Sequence, residues 1–73
     1  MERYTDAEIR EVWMDYHYDE YSEEYEYGWW LVDEEPSIVA DIRSIATKML
    51  ADGIAENEDD AIWQAVVVVA QAN

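Results

Sequence analysis

Seventy-three residues, no cysteine and a net charge of −15, from 19 acids against four bases, bound what this chain can be. A chain of this length is one domain at most, burying only about 60% of its unfolded surface, and no disulfide or thiolate metal site staples it. The charge repels nucleic acid and anionic membrane and favours basic partners, while an apolar share of 51% is too high for a disordered acidic tail.

Four Trp and six Tyr supply the large side chains that a thin, unstapled core needs. No apolar run approaches the roughly 18 residues of a membrane span. The opening "MERYTDAEIREVW" has no apolar signal core. A soluble, cytoplasmic protein is expected.

The first helix is predicted over 6–27. Thr5 can cap its free amides and Glu8, three residues on, can reach back, which is a capping box. Ile9, Val12, Trp13 and Tyr16 follow at i, i+3, i+4, i+7, one apolar helical face. The pattern continues through Glu20 to about Tyr27, where Gly28 is a natural stop. "YEYGWWLV" is rich in strand formers, so an extended segment near 25–32 is the alternative, although the chain offers no second good strand to pair with it.

A second helix is predicted over 36–52. Pro36 suits its first position, and Asp33, Glu34 and Glu35 precede it where the helix dipole favours negative charge. Ile38, Ile42, Ile45 and Met49 share a face flanked by Val39, Ala46 and Leu50, and Gly53 ends the element. A third helix is predicted over 58–72, capped by Asn57 with Glu58, Asp59 and Asp60 in its first turn. The run of four Val also suits a strand, but Ala61, Ala65, Ala70 and the strong start signal favour helix.

The expected fold class is therefore all-α, a single three-helix domain over 1–73, with Ile9, Val12, Trp13, Ile38, Ile42, Ile45, Met49, Ile62, Trp63 and Val66 in the core. The third helix is apolar nearly all round, so it is either the central element or a dimer seam. A homodimer through Val67 to Ala70 or through Trp29 and Trp30 is expected.

Catalytic chemistry finds little support. His17 is the one His, beside Asp15, Asp19 and Glu20. With no second His or Cys, and with these neighbours splayed around a helix, a partly exposed ring in an aromatic cluster is the better reading than a metal ligand. "DGIAENEDD" lacks the alternating ligands and final Glu of a calcium loop and reads as helix capping. There is no nucleophile triad, glycine-rich phosphate loop or thiol, so no catalytic residue, metal or cofactor is expected. Exposed rings can stack bases, but only beside a basic groove that tracks phosphates, and here the sign of the charge is wrong.

What stands out is where the acid lies. Residues 1–35 hold 13 acids and two bases, a net of −11, whereas residues 36–73 have a net of −4. Glu8, Glu11, Asp15 and Asp19 recur at i, i+3, i+7, i+11, which on a helix gives one carboxylate stripe at roughly 5.4 Å per turn. Glu23, Glu24 and Glu26 continue the run. Duplex DNA carries one charge per about 1.7 Å of axis, so such a stripe can occupy a DNA-binding groove and pair with its Arg and Lys. Tyr18, Tyr21, Tyr25 and Tyr27 add flat amphipathic area of the kind enriched at interfaces. These 11 residues form the expected partner-binding surface.

In this respect the chain, chiefly "EVWMDYHYDEYSEEYEY", resembles the small, acidic, cysteine-free and tyrosine-bearing proteins with which phages and plasmids block host defence enzymes: anti-CRISPR, antirestriction and uracil-glycosylase-inhibitor DNA mimics. The resemblance is one of overall character. It implies a non-catalytic inhibitor, acting in the host cytoplasm, whose partner is a basic nucleic-acid-binding protein such as a CRISPR effector or restriction enzyme. A second resemblance lies in "IRSIATKMLADGIAENEDDAIWQAV", which is similar to the helical pair of some antitoxin dimers. It implies an antitoxin or adaptor that neutralises a basic partner without imitating DNA. Halophilic adaptation would spread acid over every helix, and the one-sided charge argues against it.

Overall fold

The computed structural model describes residues 4–72. Thr5, in extended conformation, starts the first helix by accepting the Glu8 amide on its hydroxyl, at 3.2 Å. Helix α1 then spans Asp6–His17, ten residues short of the expected end at Tyr27. Electrostatics explains the early stop. A helix to Tyr27 would stack Asp15 on Asp19, Asp19 on Glu23 and Glu20 on Glu24 as i, i+4 like-charge pairs, each unfavourable. It would also put Glu23, Glu24 and Glu26 at the negative end of the helix dipole.

The chain instead turns extended at Tyr18, and β1 (Tyr18–Asp19) pairs antiparallel with β2 (Glu24–Tyr25). Of the segment near 25–32 offered as an extended alternative, only Tyr25 is in a strand; 27–30 form a turn and 31–34 are helical. The strand that pairs with it comes from Tyr18 and Asp19, inside the expected first helix. The loop between the strands is closed by the Asp19 carboxylate, which accepts the Tyr21 amide at 2.9 Å, and by Glu23 in the left-handed region at φ 56°. Gly28, at φ 95°, turns the chain again rather than ending a helix.

Leu31–Glu34 form a short helix, α2, so the acids expected merely to precede the next helix are partly helical themselves. Helix α3 runs Pro36–Ala51, with Pro36 in its first turn as expected. It ends in a Schellman motif: the Ile54 amide reaches the Met49 carbonyl, the Gly53 amide reaches Leu50, and Gly53 takes φ 74°. Helix α4 spans Glu58–Ala72, and the Asn57 side chain accepts the Asp60 amide at 2.8 Å. The domain is thus mainly helical, with a two-stranded hairpin between α1 and α2.

Ile9 and Trp13 of α1, Ile38, Ile42 and Ala46 of α3, and Ala61, Ile62, Ala65, Val66 and Val69 of α4 are buried together, with Val32 of α2 closing one side. The alanines let α3 and α4 approach closely. Val12, Ile45 and Met49 pack against this core half-buried. Trp63 does not belong to it. The buried positions 61, 62, 65, 66 and 69 define an inward face from which position 63 is turned away, and the indole is 45% exposed, with its ring edge against Tyr16.

The two tryptophans therefore separate in a stability measurement. Trp13→Ala should cost about 3–5 kcal/mol, enough to threaten a domain this small. Trp63→Ala should cost about 1–2 kcal/mol, since half of its surface is already wet. Thermal or urea denaturation of the two variants checks the order, and equal losses would contradict this packing.

Candidate functional site

Two of the four basic residues, Arg10 and Arg43, fasten the fold. The Arg10 guanidinium on α1 forks onto the Asp33 carboxylate of α2, with bonds of 2.8 and 3.1 Å. Arg43 on α3 donates to the Tyr4 carbonyl at 3.0 Å and pairs with Asp6 at the start of α1. Tyr4 is itself buried, and its hydroxyl donates to the Glu58 carbonyl at 3.1 Å, so the arginine links α3 through Tyr4 to the start of α4. The two ion pairs border a groove of about 380 Å3 between α1, α2 and α3. Lys48 lies exposed on α3, and Arg3 falls outside the described residues.

The hydrogen bond from Arg10 holds the Asp33 carboxyl below its ordinary range, outweighing the opposing cost of desolvation, and the arginine's charge adds a lesser downward pull. Because the folded value is depressed, the pair's contribution to stability is present above the unfolded aspartate range and is lost as pH falls through the lower folded value. Asp33→Asn should therefore remove part of the acid-induced unfolding between those two values. An acid denaturation profile unchanged by the substitution would contradict this.

Among the described residues, no ion pair joins the acids expected to bind a partner to an Arg or Lys. Glu8, Glu11 and Asp15 are exposed on α1, as the stripe requires. Asp19 is not on that stripe, because the helix has ended; it lies in β1, directly across from Glu24 in β2. Glu23 sits in the turn and Glu26 follows β2, so the tyrosines and the second half of the acidic run decorate a hairpin and its exit rather than a helix. Tyr21, at the hairpin tip, is fully exposed and Tyr27 is 89% exposed. Tyr18 and Tyr25 face one another across the ladder with ring centroids 5.2 Å apart.

Two features escape the sequence reading. The first is a cleft of about 340 Å3 where Glu8 and Glu11 of α1 meet Glu58 and Asp59 of α4 over a floor of Tyr4, Val12 and Ile62. The α4 acids read locally as a helix start; only the packing of α4 on α1 adds them to the α1 stripe. The second is Trp29 and Trp30, expected as a dimer patch, whose rings join the tyrosine cluster.

His17 is 6% exposed, more buried than expected, between the rings of Trp13 and Tyr16. Its Nδ1 lies 2.8 Å from the Trp13 carbonyl, and since a carbonyl only accepts, that nitrogen carries the proton. Among the described residues no three His or carboxylate side chains converge to hold a metal ion. None of their helices is long and apolar enough to cross a membrane. Comparison with protein-family models, curated proteins and solved structures finds no match.

The register also sets a charge conflict. Asp19 and Glu24 stand opposite each other in a ladder of only two residue pairs, an arrangement that destabilises a sheet. Glu24→Lys should stabilise the protein by about 0.2–1 kcal/mol. Added salt should raise the melting temperature of the wild type more than that of the variant, because screening relieves the repulsion that the substitution removes. A destabilised Glu24→Lys protein would mean that this register is wrong.

Proposed function

We propose that the protein is a non-catalytic inhibitor that occupies the nucleic-acid-binding groove of a host defence protein, a CRISPR effector or restriction enzyme, by presenting carboxylates and tyrosines in place of phosphates and bases. The observation that carries this reading is the hairpin surface. Tyr21 and Tyr27 project almost wholly into solvent, and the carboxylates of Glu20, Glu23, Glu24 and Glu26 are exposed around them. Neither the rings nor the charges serve the core, and the Asp19–Glu24 pairing works against the fold. Glu8, Glu11 and Asp15, extended by Glu58 and Asp59 across the cleft, supply a second row of negative charge.

Partner arginines and lysines would pair with these carboxylates as they do with phosphates, and the long-range field would speed the encounter. Val69 of the expected Val67 to Ala70 seam is buried in the core, so a homodimer through α4 would use its outer face, where Trp63 and Val68 are each 45% exposed. That same apolar face favours the second reading, an antitoxin or adaptor that holds a basic partner without competing for nucleic acid.

Charge reversal tests the choice. Changing Asp15, Glu23, Glu24 and Glu26 to Lys, all exposed, should leave the fold intact, since exposed substitutions usually move stability by less than about 0.5 kcal/mol. It should abolish inhibition in assays against purified CRISPR effectors and restriction enzymes. Wild-type binding should compete with DNA or guide RNA and weaken as salt rises. A target that holds the protein and its nucleic acid together, and that binds the four-Lys variant as tightly as wild type, would remove mimicry and leave the adaptor reading.

A further inference from the structure

Five rings run in continuous edge or tilted contact across the hairpin and its exit. Tyr18 meets Tyr25 at 5.2 Å, Tyr25 meets Trp29 at 5.8 Å, Trp29 meets Trp30 at 6.0 Å and Trp30 meets Tyr27 at 4.9 Å. The cross-strand register of Tyr18 and Tyr25 starts this row, and the turn at Gly28 folds the tryptophans back to extend it. Rings in a core would be covered, yet Tyr18, Tyr25, Trp29 and Tyr27 are all exposed and Trp30 is half-buried. Every charged residue interleaved with the tyrosines, Asp19, Glu20, Glu23, Glu24 and Glu26, is acidic.

We infer that this ring surface is a docking site for arginine side chains of a partner protein, whose guanidinium planes stack on the rings within the field of the surrounding carboxylates. Charge complementarity selects the occupant. A nucleic acid would meet rings without any cationic track for its phosphates. A second copy of the chain would bring the same acids against themselves, at −15 per copy. An uncharged apolar partner would strip water from carboxylates that it could not pair.

A cation fits, and arginine fits better than lysine. The guanidinium is planar and weakly hydrated, so it can stack on a ring while its edge still forks onto a carboxylate, whereas the compact ammonium holds its water.

This inference rests on the reading that the partner is basic, but it is tested without that partner. The intact protein is titrated with hexa-arginine and with hexa-lysine at the same salt, following Trp fluorescence and the indole N–H resonances of Trp29 and Trp30. The arginine peptide should bind about tenfold more tightly, the difference expected when cation–π stacking is added to an equal charge.

Tyr25→Ala and Trp29→Leu should each bring that ratio close to one while leaving the hexa-lysine affinity nearly unchanged. Trp29→Leu keeps the backbone carbonyl that Trp13 uses. Tyr27→Ala, at an 89% exposed position, cannot disturb the core and should lower the ratio as well. Equal affinity for the two peptides would overturn the inference. So would an arginine preference unchanged in both Tyr25→Ala and Tyr27→Ala, or a concentration-dependent dimer that these substitutions dissolve, which would give the surface to a second copy. Arginine preference without any competition against DNA would leave this site standing and remove mimicry; competition without the preference would do the reverse.

Discussion

The hairpin and its aromatic surface depend on one buried side chain. Trp13 lies fully inside the core, and its indole N–H reaches across to the Trp29 carbonyl at 3.0 Å. One turn later, His17 stacks on it at a centroid distance of 4.4 Å and donates Nδ1–H back to the Trp13 carbonyl. The His17 carbonyl then accepts the Glu26 amide at 2.6 Å. A two-pair hairpin is too small to stand alone in water. It stands here because the helix that precedes it holds both the exit of β2 and the loop before α2. The Trp13 bond is part-buried, so losing it would leave a carbonyl without its partner as well as a void.

The charges divide along the same line. On the α1–α3 side, Arg10 and Arg43 are bound to acids of neighbouring elements and tie helices together. These pairs are largely exposed, so each is worth little alone, and their role is as much orientation as energy. On the hairpin side there is no Lys or Arg from residue 11 to residue 42. The early end of α1 follows from this imbalance: the acids that would have repelled along a helix are spread over a turn, where water solvates them. One constraint, uncompensated carboxylate, thus shapes both the local fold and the surface of the hairpin.

The parts legible in the sequence are those fixed by local chemistry. Thr5, Pro36, Gly53 and Asn57 each mark a helix end by a bond or a backbone angle that depends on a few neighbouring residues, and the structure forms them. The inward faces of α1 and α3 followed from their periodicity. The hairpin did not, because Val12, Trp13 and Tyr16 propagate a helical pattern that nothing local contradicts except the repulsion of Asp15, Asp19 and Glu23. Trp63 misled because a large ring in an apolar helix suggests burial, while its angular position on α4 turns it outward. The acidic cleft was invisible for a third reason: Glu8, Glu11, Glu58 and Asp59 meet only through the packing of α4 on α1.

The positions where this sequence departs from good local design lie together. Glu23 holds a left-handed conformation that costs a non-glycine residue about 1–2 kcal/mol. Asp19 and Glu24 repel across the ladder, and Tyr21 leaves its whole ring in water. The helical remainder shows little of this: α1 and α4 are capped at their starts by Thr5 and Asn57, α3 closes at Gly53, and the inside is filled with Ile, Val and Ala. A sequence shaped for stability alone would place glycine at 23, an opposite charge at 24 and a small polar residue at 21. Departures concentrated in one segment, on a scaffold that otherwise obeys the rules, support the recognition role proposed for that segment. Since the scaffold holds that segment from beneath through Trp13 and His17, the exposed side chains are not fixed by packing, as the proposed recognition role requires.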